Sequence, residues 1–355
     1  MTRLSRLLGS IAPPPSDGAD AAQRHLDSLT KPPRSLGRLE EIALRLALLR
    51  GRAPEVAHPV IFTFAADHGV VVEGVSAYPQ VVTAQMVENF LRGGAAVNVL
   101  ARQAGARVVV ADLGVAGPLH PSPGLVACPI GPGTANIAAG PAMTPEQAMG
   151  AIEAGATLAE EALDAGADLL ATGEMGIGNT TVASAIAAAI TGVSVERVTG
   201  RGTGVDDATL ARKVAVVRRA LEINRPDARD GLDVLAKVGG FEIGGLVGVI
   251  LAGAARRVPV VLDGFIAGAG ALIAVALAPA TRHVLFASHR SAEPGHAFVL
   301  RHLGLEPYLD LSLRLGEGTG AALFIHLARA AALVWSEMAT FKTAGVSESP
   351  RASDR

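Results

Sequence analysis

The chain has 355 residues, half of them hydrophobic, enough for one large α/β domain with additions or for two domains, and too long for a small module. Lys and Arg number 31 against 33 Asp and Glu, a formal net charge of -2, and aromatic residues make up 3%, so there is neither a basic footprint nor a set of stacking rings for nucleic acid. The single Cys128 excludes an internal disulfide, and no Cys or His cluster has metal-ligand spacing, so the expected setting is a reducing cytoplasm with no metal.

The opening MTRLSRLLGSIAPPPSDGAD lacks the sustained apolar core and cleavage site of a secretory signal and reads as a short helix and a loop. Residues 20–50 carry two amphipathic helical stretches around the break Lys31-Pro32-Pro33, which cannot continue a helix. They form an N-terminal helical unit. From Pro59 the texture changes to short apolar runs ending in Gly, Asp or His, each followed by an Ala-rich helical pattern: PVIFTFAADHG, ARVVVADLGV, ADLLATGEMGIGN, VPVVLDGF and RHVLFASHRS. Apolar runs without alternation are what strands buried on both faces look like, so the fold class is α/β, a Rossmann-like parallel sheet with helices on both faces. Residues 83–103 and Asp207–Asn224 read as covering helices, and residues 119–144, rich in Pro and Gly, as a loop excursion. Residues 264–281 run without a charge and approach membrane-spanning length. Their Gly/Ala composition and the strand-like VPVVLDG feeding them favour a buried helix. The last twelve residues, AGVSESPRASDR, have the composition of a disordered tail.

In open parallel sheets, ligands bind beyond the carboxyl ends of the strands. The polar residues gather there: Asp67 and His68 after the first run, Glu174 after the third, Asp263 after the fourth, and Ser288, His289 and Arg290 after the last. GEMGIGNTT, residues 173–181, opens a helix with backbone N–H donors suited to a phosphate, yet it is neither a P-loop nor a dinucleotide fingerprint. A second Gly-rich junction, residues 199–220, carries Lys213 one turn inside its helix. RLGEG, residues 314–318, sets Glu317 between two glycines that let backbone approach a ligand. An apolar surround would raise its pKa and make it a stronger base toward a weakly acidic N–H.

Seven stretches extend this pattern: LTKPPRSLGRLE, AADHGVVVEGVSAYPQ, GEMGIGNTT, KVGGFEIGGLVGVILAGAA, VLDGF, SHRSAEPG and EPYLDLSLRLGEGTGAAL. In order and over nearly the whole length they resemble the nicotinate-nucleotide:dimethylbenzimidazole phosphoribosyltransferase family of cobalamin nucleotide-loop assembly. The resemblance implies a smaller helical domain built from N- and C-terminal segments beside the sheet domain, a homodimer, no cofactor, and small-molecule substrates rather than nucleic acid or membrane. Boundaries drawn on it give 1–58 to the N-terminal helical segment, 59–335 to the α/β domain and 336–355 to the C-terminal segment and tail. It implies attack by one nitrogen of 5,6-dimethylbenzimidazole on the anomeric carbon of nicotinate mononucleotide, with loss of nicotinate and inversion to α-ribazole 5′-phosphate.

Carried over by position, Glu317 is the general base that takes the proton from the second benzimidazole nitrogen, and Glu174 a second acid near the ribose. Leu315, Met175 and residues 78–86 wall the flat base. Gly176, Asn179, Thr180, Lys213 and Arg314 correspond to phosphoribosyl contacts, and Asp263, Ser291 and Gly316 join the substrate-binding set. Where the family pattern has a serine and a glutamine against the base, this chain aligns Tyr78 and Met86, with Ser76 and Gln85 close by. The acceptor base is therefore left open. The rival functions are another nucleotide-using α/β enzyme, such as a dehydrogenase or nucleoside hydrolase, and a non-catalytic binding protein of the same fold.

Overall fold

The computed structural model describes residues 2–14 and 18–347. Six parallel strands form one sheet: β1 Pro59–Ala66, β2 Arg107–Gly114, β3 Leu125–Ala127, β4 Leu169–Met175, β5 Val260–Leu262 and β6 Leu285–Ala287, in the order β3-β2-β1-β4-β5-β6. Every residue of β1 is buried, as expected of a central strand covered on both faces. Helices Val82–Leu91, Ala96–Ala104, Phe241–Ala255 and Phe265–Leu277 pack on the strands, the third of them against helix Pro145–Asp164. The fold is α/β, as the sequence pattern indicates.

Three details differ from the sequence expectation. The segment 83–103 is two helices, Val82–Leu91 and Ala96–Ala104, because the chain turns at Gly93 (φ 75°) and Gly94 between them. The excursion 119–144 contains β3, an edge strand pairing with Val110, Ala111 and Asp112 of β2. The compact units also divide elsewhere: residues 1–13 and 58–324 form one, 14–57 and 325–355 the other. The N-terminal helix Arg3–Ser10 joins the sheet unit because Leu4 and Leu7 are buried there, Arg3 pairs with Glu160, and the Leu4 N–H donates to Glu153 at 3.1 Å. The C-terminal division falls within helix Thr319–Glu337, ahead of residue 335.

In the smaller unit, helices Ala19–Ser28 and Arg38–Arg50 flank the Lys-Pro-Pro turn, where the buried Lys31 ammonium meets Glu40 at 2.8 Å. His25 Nε2 lies 2.9 Å from the Trp335 carbonyl, and the Thr30 N–H donates to Ala339. The apolar run 264–281 is the buried helix Phe265–Leu277 followed by a 3-10 turn. Thr319–Glu337 is long and apolar enough to cross a membrane by length and composition, yet 50% of its most apolar stretch is buried in the protein. Of the expected disordered tail, Ala344 closes a short helix, and residues 348–355 lie outside the described residues.

Candidate active site

The strand order reverses at β1: successive strands β1, β2 and β3 run outward one way, while β4, β5 and β6 run the other. Such a reversal opens a crevice beyond the strand ends. Asp67 and His68 leave β1 there, Glu174 and Met175 end β4, Asp263 follows β5, and Ser288 and His289 follow β6.

The segment carrying Glu317 is fastened over this crevice by its main chain. Thr63 of β1 donates its hydroxyl to the Glu317 carbonyl at 3.0 Å. Gly173, its register partner on β4, lets that carbonyl in: a Cβ there would stand 2.2 Å from the Glu317 oxygen. Glu317 itself holds a left-handed φ of 67° between Gly316 at 85° and Gly318 at 100°. A non-glycine residue in that region carries strain that its surroundings must hold. Side chains could not replace the two glycines, because a Cβ would lie 2.4 Å from Glu174 Oε1 at Gly316 and 2.7 Å from Ile61 at Gly318. Asp263 supplies the remaining anchor: its carboxylate accepts from the N–H groups of Gly318 (3.1 Å), Gly320 (2.7 Å) and Ala321 (3.2 Å), at the start of helix Thr319–Glu337.

The Glu317 side chain is only 4% exposed. Burial pushes its pKa up to about 7, against the pull of a hydrogen bond from the Val97 backbone, and Oε2 has no hydrogen-bond partner among the described residues. Glu174 is held well above the ordinary carboxyl range by burial and then by the charges of Asp263, Glu242 and Glu317, while the Asn179 amide donates to its Oε2. Burial likewise lifts Asp263 to about 7, against its three backbone donors. A carboxylate whose pKa lies near neutrality, with one free oxygen in a dry site, is suited to removing a proton at physiological pH.

Beside these acids lies an anion cradle. The Gly-rich turn after β4 ends at Gly178, which begins helix Asn179–Thr191 with no side-chain cap, leaving N–H groups directed toward an anion. Its Ile177 N–H is taken by the Thr83 hydroxyl at 3.1 Å, and Thr83 in turn donates to Asp67 at 2.7 Å. Lys213, 1% exposed, donates to the Thr180 hydroxyl at 2.8 Å; burial lowers its pKa to about 8, with Glu293 opposing. Gly202 is gripped at both ends, its N–H by Glu293 at 2.8 Å and its carbonyl by Arg314 at 2.9 Å. A cavity of about 80 Å³ is lined by Glu174, Met175, Gly176, Asn179, Thr180, Ser291, Arg314, Leu315 and Gly316, together with Gly264, His289 and Glu293. It shares Gly202, Glu293 and Arg314 with a second cleft of about 430 Å³.

Most of the residues expected from the sequence therefore converge. Three stand apart. Tyr78 is 50% exposed, Gln85 is exposed and Met86 half-buried, and none lines the cavity. In helix Val82–Leu91 the buried positions are Thr83, Val87 and Phe90, and the helical period turns residue 85 to the opposite face. Asp263 does not line the cavity either: its carboxylate accepts from backbone N–H groups and holds the Glu317 segment. Glu293 was missed, and His289 was placed at the strand end without a role; the SHRSAEPG stretch contains both, and their burial was the signal that sequence alone lacks.

Residues 11–346 match a family model described as Phosphoribosyltransferase. The nicotinate-nucleotide:dimethylbenzimidazole phosphoribosyltransferase of Chloroflexus aggregans is 59% identical over 353 residues, covering 99% of this chain and 100% of the relative. That of Desulforamulus reducens is 57% identical over 350 residues, covering 98% and 100%. A crystal structure of the Thermus thermophilus enzyme of that name superposes with a TM-score of 0.89 at 52% identity, covering 94% of this chain and 99% of that one. A second, titled CobT from the same organism, gives 0.90 at 54% identity, covering 93% and 99%. With the site geometry and this full-length likeness agreeing, the chain belongs to the nicotinate-nucleotide:dimethylbenzimidazole phosphoribosyltransferase family.

Proposed function

We propose that the crevice carries out transfer of the 5-phosphoribosyl group from nicotinate mononucleotide to 5,6-dimethylbenzimidazole, with Glu317 as the general base. The observation that carries the assignment of roles is the Glu317 carboxylate, buried, with a free Oε2 and a pKa near 7, on the segment whose neighbours Arg314, Leu315 and Gly316 line the cavity. The cradle of Gly176, Asn179, Thr180, Lys213 and Arg314 holds the phosphoribosyl group, and Ser291 and Gly316 close on it. The leaving pyridinium already bears positive charge, so its departure as neutral nicotinate assists a loose displacement that needs mainly positioning. As one benzimidazole nitrogen bonds to the anomeric carbon, Glu317 takes the proton from the other, which avoids a cationic product. Glu174, which lines the cavity, is the second acid beside the sugar.

The enzyme is further read as a homodimer working in the cytoplasm on small molecules. Exposed Val72, Tyr78 and Val81 within residues 72–81 support a protein contact there. The test of the reaction is mass spectrometry after incubation with nicotinate mononucleotide and a mixture of benzimidazole-type bases. A ribotide is expected from the intact enzyme, and Glu317→Gln is expected to lower its rate by about 10²- to 10⁴-fold. A near-normal rate in that variant would remove Glu317 from the role.

A further inference from the structure

His289 lines the cavity, yet the transfer chemistry above assigns it nothing. Its hydrogen bonding fixes which ring nitrogen carries the proton. The buried Ser288 hydroxyl donates to the Asp263 carbonyl at 2.9 Å. A hydroxyl has one proton to give, and a carbonyl can only accept. The 3.0 Å contact between Ser288 Oγ and His289 Nδ1 must then have Nδ1 as its donor. The Asp263 carboxylate, 4.0 Å from Nδ1, favours a proton on the same nitrogen. The ring is neutral, since burial lowers its pKa to about 4. Nε2 is therefore left with a bare lone pair.

That lone pair is aimed. The Nδ1 edge of the ring lies against the start of helix Thr319–Glu337, where a Cβ on Gly320 would stand 1.9 Å from Nδ1. The adjoining edge, from Cε1 to Nε2, faces Gly264, whose Cβ would stand 3.5 Å from Cε1, 3.7 Å from Nε2 and 3.9 Å from Ser291 Cβ; Gly264 and Ser291 both line the cavity. Among the described residues Nε2 takes no hydrogen bond. A nearly dry acceptor of this kind recognises a donor and disfavours a carboxylate or phosphate oxygen. In the mononucleotide, the neutral donors are the hydroxyls of the sugar.

We propose that His289 Nε2 accepts a hydrogen bond from a ribose hydroxyl of the nucleotide, in a tautomer held by the relay Asp263 carbonyl, Ser288 hydroxyl, His289 Nδ1. The inference rests on the transferase reading for the identity of the nucleotide. It makes Asp263 a shared anchor, since its carboxylate holds the Glu317 segment and its carbonyl orients the group on the sugar.

The test uses affinity, which needs no turnover. Calorimetric Kd values are measured for nicotinate mononucleotide and its 2′-deoxy and 3′-deoxy analogues, on the native enzyme, His289→Asn and His289→Gln. Asparagine puts an amide nitrogen where Nδ1 stands and nothing at Nε2; glutamine carries an amide oxygen out to the Nε2 position. The native enzyme is expected to bind one deoxy analogue about 10- to 100-fold more weakly. His289→Asn should lose a similar factor on the parent nucleotide and discriminate no longer, while His289→Gln keeps part of the discrimination. A native enzyme indifferent to both deoxy analogues, or His289→Asn discriminating as before, overturns the proposal. So does a loss confined to affinity for the aromatic base, which would assign Nε2 to the incoming N–H. Ribotide formation measured alongside separates these results from failure of the transferase reading, because native enzyme that binds the nucleotide without forming a ribotide counts against that reading alone.

Discussion

Gly173 and Glu317 are in direct backbone contact: a Cβ on the strand residue would lie 2.2 Å from the Glu317 carbonyl oxygen. Thr63, paired with Gly173 across β1 and β4, donates to the same oxygen. The sheet therefore sets the position of the Glu317 segment through its main chain.

Gly173→Ala should push the Glu317 segment off the strand ends without adding anything to the cavity. An activity loss of roughly 10²-fold is expected from such a displacement, with about 1 to 3 kcal/mol of stability lost to overpacking. Ribotide formation and thermal unfolding check the two effects separately. Unchanged turnover would show that this contact does not position the base.

The pH dependence of kcat/KM should be a narrow bell. Glu317 works deprotonated, so activity rises as pH increases through about 7. Lys213 holds an anion only when protonated, so activity falls as pH increases through about 8. Lys213→Met should weaken nucleotide binding and remove the alkaline limb while leaving the acid limb in place. Steady-state rates across the range from acid to alkaline pH check both limbs.

Glu317 also costs stability at neutral pH. Its carboxyl binds a proton more tightly in the folded state, about 7, than at its ordinary value of 4.5. Folding stability from this group is therefore lost as pH rises through that window. Glu317→Gln should be more stable than the native enzyme at mildly alkaline pH, by about 1 to 3 kcal/mol, and no more stable below the ordinary carboxyl value. Denaturant unfolding at the two pH values measures the difference.

The sheet was legible because its central strands are unbroken apolar runs, PVIFTFAA and LLATG among them, and because strand ends concentrate polar residues. β3 was not, since three residues in a Pro/Gly-rich stretch have no periodicity and gain their identity from pairing with β2. Asp263 shows the limit at the site. An acid just past a strand reads as a ligand for substrate, and only the fold brings it the N–H groups of Gly318, Gly320 and Ala321, 55 to 58 positions downstream. Glu293 was overlooked and His289 left without a role for a related reason: what distinguishes them is burial beside Gly202 and Asp263, neighbours from distant parts of the chain. Glu317 was legible because its flanking glycines announce a tight backbone approach in the sequence itself.

The helix that follows Tyr78 has one residue, Thr83, tied both to Asp67 and to the Ile177 N–H, while Gln85 on its other face is exposed. A mutant library in this segment thus has a natural division of labour. Positions 78, 85 and 86 can be varied without touching these two bonds, and the threonine among them should stay fixed, since exchanging it would loosen the end of β1 together with the turn after β4.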